Sequence, residues 1–233
     1  RLYPICRSIT GDGVRRTLAI IDDVVPVQTT EVPSGTKVFD WEVPDEWNIR
    51  EAWIEDPAGR RIVDFADHSL HVVNYSVPVS AQMSLDDLQK HLHSIPDHPT
   101  WIPYRTSYFE RNWGFCLAHE RRAALSPGRY TVRINSTLEP GHLTYGECLV
   151  PGESQREVLV QAHVCHPSLA NDNLSGIAVA GVWLLGWEGV AAVALAAFSY
   201  RLWLGRTLPG SFFPALGSGL EATVAWVLLR NAA

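Results

Sequence analysis

The chain has 233 residues, a formal net charge of −6 and 46% hydrophobic residues. This length allows one large or two small domains with a buried core, and it excludes a miniprotein held together by disulfides. The acidic balance argues against nucleic acid as the main partner, because a protein that binds a duplex needs a clustered excess of Lys and Arg.

The cysteine pattern and the first residues bear on cellular location. The four cysteines show no short CxxC spacing, so neither a zinc ribbon nor a thioredoxin motif is indicated. Charged residues interrupt the apolar positions of residues 2–25, which is not typical of a signal peptide. We therefore expect free thiols in a cytoplasmic protein.

The first third of the chain predicts a helix followed by a β region. Apolar residues recur at helical spacing from Val14 to Val25, and Pro26 ends the pattern. Short strands separated by Pro, Gly and Asp then predict an inserted all-β sandwich or jelly roll, with a hairpin turn at residues 56–59. The predicted strands are residues 37–43, 49–55, 60–65 and 71–77.

A short helix and a second β region follow. The helix spans residues 84–93, with Ser84 as its N-cap and Asp87 at the N3 position. The last strand of the β region is apolar without alternation, as expected for a strand buried on both faces of an α/β sheet, and a helix over 173–185 follows it. The predicted strands are residues 114–119, 129–135, 142–150 and 157–163.

The densest polar cluster, residues 161–176, comes directly after that buried strand, where α/β proteins place ligand sites. His163, Cys165, His166 and Asp172 are all of the types that bind zinc, and a carboxylate such as Asp172 could bridge two metal ions. The alternative interpretation is structural: Pro167 ends the strand, and residues 171–173 cap the next helix.

Six motifs in the chain resemble those of one known family. They are LYPICRSITG at residues 2–11, GTKVFDW at 35–41, WIPYRTSY at 101–108, GHLTYGE at 141–147, HVCHPS at 163–168 and NDNLSG at 171–176. These motifs resemble the bacterial aminopeptidase-like family with DUF4910 and DUF2172 domains, often found near polysaccharide biosynthesis genes. The resemblance covers roughly residues 2–180.

The resemblance implies a fold. The family is similar to the M28-type zinc peptidases, which have a phosphorylase/hydrolase-like α/β core with a β domain inserted near the N-terminus. In this chain the core would comprise residues 1–31 and 109–233. The inserted sandwich or jelly roll with its short helix would comprise residues 32–108. We expect the core to be incomplete, with the chain truncated at its C-terminal end.

The resemblance also implies a site for one or two zinc ions. His163 would be the first zinc ligand and Asp172 the carboxylate that bridges the metals. Cys165 occupies the position of a catalytic Asp in the M28 pattern, so His166 is expected to supply a replacement function at the metal. No further Asp or His follows Asp172, which leaves the catalytic residues unidentified.

These expectations lead to a zinc-dependent aminopeptidase-like hydrolase that cleaves a peptide or amide bond and is impaired in this chain. Zinc would polarise the carbonyl and activate a bound water. His142, Tyr145 and Glu147 are candidate substrate contacts on one strand-like segment. A membrane partner is not expected, and an oligomer is compatible with the sequence.

The alternative function is a non-catalytic module that binds carbohydrate or protein. Trp41, Trp47, Trp53 and Tyr75 lie in the predicted insert, where they could form a surface for stacking sugars. The same residues could instead pack inside a β sandwich.

The end of the chain differs in composition from the rest. Residues 177–233 contain only five charged side chains. A frameshifted stretch with an early stop, a membrane helix over residues 176–200 and a buried core segment would each explain this composition.

Overall fold

The computed structural model describes residues 1–151, 159–168, 172–173 and 176–177. Three α-helices lie in this part of the chain: α1 (Asp12–Asp22), α2 (Leu85–Gln89) and α3 (His119–Ala123). The strands are β1 (Gln28–Pro33), β2 (Lys37–Val38), β3 (Trp41–Glu42), β4 (Glu46–Glu55), β5 (Arg61–Asp64), β6 (Val79–Ser84), β7 (Leu92–His93), β8 (Phe115–Cys116), β9 (Arg129–Glu139) and β10 (His142–Glu147).

The chain divides into two compact units. The first unit contains Arg1–Leu18, Thr29–Gly146 and Cys165–Leu169. The second contains Ala19–Gln28 and the described residues of Glu147–Val164 and of Ala170–Ala233.

A four-stranded antiparallel sheet forms the centre of the first unit, in the order β5-β4-β9-β6. Strands β4 and β9 pair along almost their whole length, from Glu46 opposite Glu139 to Glu55 opposite Thr131. Buried residues alternate along β9, so one face of the sheet carries the core. The core residues are Ala52, Ile54, Val63, Val72, Leu88, Leu92, Phe115, Leu117, Tyr130, Val132 and Ile134.

Two local predictions are confirmed. The turn at residues 56–59 joins β4 and β5 as an antiparallel hairpin, closed by a hydrogen bond from Gly59 N to Asp56 O of 2.9 Å. Ser84 is the N-cap of α2, and its side chain accepts a hydrogen bond from Asp87 N at 3.2 Å. The helix ends at Gln89, and β7 follows within the range that the sequence assigned to the helix.

Three predicted strands are wrong. Residues 37–43 form the small β2–β3 hairpin, in which Phe39 has a positive φ of 53° and is fully exposed. Residues 71–77 contain no regular strand, and Tyr75 interrupts an extended path with a φ of 68°. Residues 159–163, the described part of the predicted buried strand, are irregular, and Leu159 is 88% exposed.

The central sheet does not end at residue 108, where the sequence places the end of the inserted domain. Strand β9, at residues 129–139, lies between β4 and β6 and pairs with both. The cause is the alternation of Tyr130, Val132 and Ile134, whose buried side chains continue the apolar face of β4.

The composition step at the end of the chain lies almost wholly outside the described residues. No helix within the described ranges is long and apolar enough to span a bilayer.

Candidate functional site

The structure brings His163 and Asp172 together in the second unit. The imidazole Nε2 of His163 lies 2.9 Å from the carboxylate Oδ1 of Asp172, and the two side chains are 56% and 62% exposed. Gly176 supports this approach, since its N–H donates to Asn173 Oδ1 at 3.0 Å. A Cβ at Gly176 would lie only 2.7 Å from Asn173 Nδ2 and 3.0 Å from the Cβ of Ala162.

The donor chemistry of this pair suits zinc, which takes imidazole nitrogen and carboxylate oxygen. Zinc sites, however, use three or four protein ligands. Within the described ranges there is no group of three or more His, Cys, Asp and Glu side chains that could hold a metal ion. The pair therefore amounts to a partial ligand set.

The third predicted ligand, His166, belongs to the first unit. Its ring packs against the ring of Tyr104 with the centroids 4.8 Å apart, and its Nδ1 accepts a hydrogen bond from Ser168 N at 3.1 Å. Its backbone carbonyl accepts a hydrogen bond of 3.1 Å from Nη1 of Arg7. These contacts fix the residue at both its ring and its backbone.

Arg7 links the N-terminal motif to the segment that carries His166. It is buried, with 1% exposure, and its Nε donates to Thr17 Oγ1 at 2.8 Å. Its Nη2 donates to the backbone carbonyl of Leu2. One guanidinium thus joins the chain before α1, helix α1 itself and residue 166.

Asn74 performs a similar role for the motif at residues 101–108. Its backbone N donates to Arg105 O at 2.9 Å, and its carbonyl accepts a hydrogen bond from Ser107 N at 3.0 Å. Its Nδ2 donates to Arg7 O at 3.3 Å. Three of the six motifs, at residues 2–11, 101–108 and 163–168, therefore meet around Arg7 and Asn74.

Two serines hold the chain just after His166. Ser69 Oγ donates to Pro167 O at 3.0 Å and lies 2.6 Å from Ser168 Oγ. Ser168 is 7% exposed. The segment is thus tethered on its C-terminal side as well as through Arg7.

The first unit also contains a cavity of about 610 Å³ next to these contacts. It extends from the start of α1 to the turn before Ser69. Its lining includes Arg7, Ser8, Arg16, Arg50, Ser69 and Ser168.

The sequence did not predict the roles of Arg7, Asn74 and Ser69. Arg7 lies in one of the motifs that carry the family resemblance, which was the one available signal for it. Asn74 and Ser69 lie outside the motifs, and their contacts form only in the folded chain.

The predicted substrate contacts lie on β10. The backbone N of His142 donates to Glu46 Oε2 at 3.1 Å, and its Nδ1 lies 4.0 Å from Glu31 Oε2. Tyr145 is 41% exposed, and Glu147 is exposed and belongs to the second unit. His142 thus lies beside two carboxylates, and contact with substrate stays a prediction for all three residues.

The aromatic residues of the predicted insert are not one exposed surface. Trp47 and Tyr75 are 3% and 1% exposed and stack with their ring centroids 5.8 Å apart. The Nε1 of Trp47 donates to Ser76 O at 3.0 Å. For these two residues the packing interpretation is correct, which removes them from the proposed surface for stacking sugars.

Comparison with known proteins gives a family and two relatives. The family described as "Domain of unknown function (DUF4910)" matches residues 1–212. The chain is 51% identical over 178 residues to a Clostridium acetobutylicum protein named "Putative polysaccharide biosynthesis protein with aminopeptidase-like domain". The aligned part is 76% of this chain and 41% of that protein.

A solved structure has a similar fold. The crystal structure of a "putative peptidase" from Clostridium acetobutylicum matches with a TM-score of 0.75 at 50% identity. The match covers 77% of this chain and 43% of that one. The chain therefore spans about four tenths of the length of the relatives that it matches.

Proposed function

Because the chain belongs to the DUF4910 family, we propose that it serves a zinc-dependent, aminopeptidase-like hydrolysis of a peptide or amide bond. The names of the two relatives support the peptidase-like part of this proposal. The observation that carries it is the contact between His163 and Asp172, in which two zinc-binding side chains lie 2.9 Å apart.

His163 and Asp172 would hold the metal through Nε2 and a carboxylate oxygen. When bound, zinc supplies Lewis-acid polarisation of a carbonyl and lowers the pKa of a bound water. The remaining ligands would come from residues outside the described ranges or from the further length that the relatives have. The M28-like core and the inserted β domain are part of the same proposal.

Arg7, Ser69 and Tyr104 would act as positioning residues. Arg7 holds the backbone carbonyl of His166 and Tyr104 packs on its ring, while Ser69 donates a hydrogen bond to the carbonyl of Pro167. Their role would be to keep the segment that follows the first ligand in a fixed conformation, since site geometry must be held within a fraction of an ångström.

Zinc content tests the proposal. A protein that extends to the length of the relatives is purified without chelator and compared with its His163→Ala and Asp172→Asn variants, with His98→Ala as the matched control because His98 is exposed and stacks on Trp101. We expect bound zinc in the unaltered chain and in the control, and its loss in the other two variants. Equal zinc content in all four proteins would contradict the proposal.

Activity is measured on a protein that extends to the length of the relatives, with a chromogenic aminoacyl amide as substrate. Loss of a ligand should lower kcat/KM by at least about 100-fold, more than removal of an outer partner does. An unchanged rate in His163→Ala would show that this residue takes no part in the reaction. The measurement of zinc content would then be interpreted separately.

A further inference from the structure

In the described part of the chain, no carboxylate pairs with Arg7. The side chain is 1% exposed, and its hydrogen-bond acceptors are the Thr17 hydroxyl and the carbonyls of Leu2 and His166. All three are neutral. Buried arginines are normally paired with an anion, because removing an ionised group from water is costly.

Two cysteines, Cys6 and Cys165, lie near the guanidinium of Arg7. Burial raises the pKa of the Cys6 thiol to about 12, so the thiol is uncharged at neutral pH. Burial also lowers the pKa of Arg7, to about 10, which still leaves the guanidinium protonated at pH 7. A positive charge therefore persists inside the first unit.

This charge borders the cavity of about 610 Å³, which is large enough for a small ligand. Arg16 and Arg50 also line the cavity, are exposed, and form no ion pair with the carboxylates of the described ranges. The cavity thus combines one buried cation with two cations that are free to contact a ligand.

Three acidic residues line the same cavity, namely Asp12, Asp67 and Glu139. All three are exposed, and Asp12 is paired with Arg15 at 3.2 Å. Water and salt screen exposed charges much more than a buried one. The acids therefore reduce the attraction for an anion without cancelling the field of Arg7.

We propose that this cavity binds an oxyanion, a phosphate or carboxylate group of a small molecule, whose charge pairs with Arg7. Since the nitrogens of Arg7 already donate to protein groups, its charge would attract the anion, while the exposed guanidinium groups of Arg16 and Arg50 would donate to the anion's oxygens. Because Arg7 also holds the carbonyl of His166, a bound anion would stabilise the segment that follows the proposed first zinc ligand. The anion site itself does not depend on zinc.

The test follows thermal unfolding of the full chain at pH 7 while potassium phosphate replaces potassium chloride at constant ionic strength. We expect a rise in Tm that grows with the logarithm of the phosphate concentration above Kd and reaches about 3–6 °C at ten times Kd. General salting-out by phosphate would instead grow in proportion to concentration. Parallel titrations with glycerol phosphate and with glucuronate distinguish a phosphate from a carboxylate ligand.

Variants locate the anion. Arg7→Gln should lose the logarithmic rise. Because this change also removes internal hydrogen bonds and can prevent folding, Arg50→Gln provides the second test, with a Kd for phosphate at least about three times higher. Arg129→Gln, an exposed arginine at the start of β9 and outside the cavity lining, is the control and should match the unaltered chain.

Two results would overturn the proposal. One is a Tm that responds to none of the three anions more than to chloride. The other is a response in Arg50→Gln equal to that of the unaltered chain, since the anion would then bind elsewhere. His163→Ala should retain the phosphate response, so that a failure of the zinc proposal and a failure of this one can be told apart.

Discussion

At the scale of single residues, the strongest electrostatic contact of the first unit joins Arg15 and Glu46. Two N–H groups of Arg15 donate to the two carboxylate oxygens of Glu46, at 2.8 and 2.6 Å, and a third donates to Glu31 at 2.8 Å. The hydrogen bond from Arg15 is the largest cause that lowers the pKa of Glu46 to about 2. These contacts connect α1, β1 and β4.

We expect Glu46→Gln to lower the free energy of unfolding by about 1.5–3 kcal/mol at pH 7, the usual range for a charge-assisted hydrogen bond. The substituted amide would place an NH₂ group against the guanidinium of Arg15. Because the pKa of Glu46 is lowered on folding, its contribution is complete above the unfolded-state pKa, near 4.5, and is lost as the pH falls towards 2. Urea denaturation at pH 7, 4 and 2.5 measures both effects.

Glu51→Gln is the matched control, because Glu51 pairs with Arg133 on the exposed side of the sheet, where the two side chains are 43% and 42% exposed. Its effect should be much smaller, as for surface ion pairs in general. A difference between the unaltered chain and Glu46→Gln that stays constant from pH 7 to 2.5 would contradict the electrostatic explanation.

The sequence indicated which residues lie close together only where the information was local. His163 and Asp172 lie within two neighbouring motifs, and their short separation along the chain makes a contact easy to form. Arg7 and His166 are 159 positions apart, and their hydrogen bond depends on the packing of the whole first unit. No periodicity or spacing in the sequence reports such a contact.

At the scale of elements, the same distinction separates correct from incorrect predictions. The cap of α2 at Ser84 and the turn at residues 56–59 depend on hydrogen bonds between residues a few positions apart. The prediction of a strand over residues 157–163 instead assumed that neighbouring strands would pair with it and bury its apolar side chains. An apolar run is compatible with several structures until such neighbours are known.

The position of β9 leads to a prediction about fragments. Residues 32–108 contain β4, β5 and β6, but β9 separates β6 from β4 in the sheet. Without β9, strand β6 has no partner and β4 loses one of its two partners, which leaves apolar side chains exposed. We therefore expect a fragment of residues 32–108 to be unfolded.

Circular dichroism and hydrogen exchange would measure this, with a fragment of residues 1–151 as the control because it retains all four strands of the sheet. The control should show protected amides in β4 and β9. A cooperative thermal transition in the shorter fragment would instead contradict the dependence of this sheet on β9.

At the scale of the whole molecule, the two proposed ligands belong to different compact units. The His163–Asp172 pair lies in the second unit, and the cavity beside Arg7 lies in the first. A ligand protects mainly those amides whose opening requires its release. Each ligand should therefore leave its own pattern of protection along the chain.

Hydrogen exchange with mass spectrometry would record these patterns. Zinc at a concentration 100 times its Kd should slow exchange by up to about 100-fold in peptides that contain His163 or Asp172, because opening must then compete with binding. Phosphate should instead slow exchange around Arg7 and Ser69. Protection by zinc that is confined to β4 and β9 would contradict the assignment of the metal to His163 and Asp172, because neither strand contains this pair.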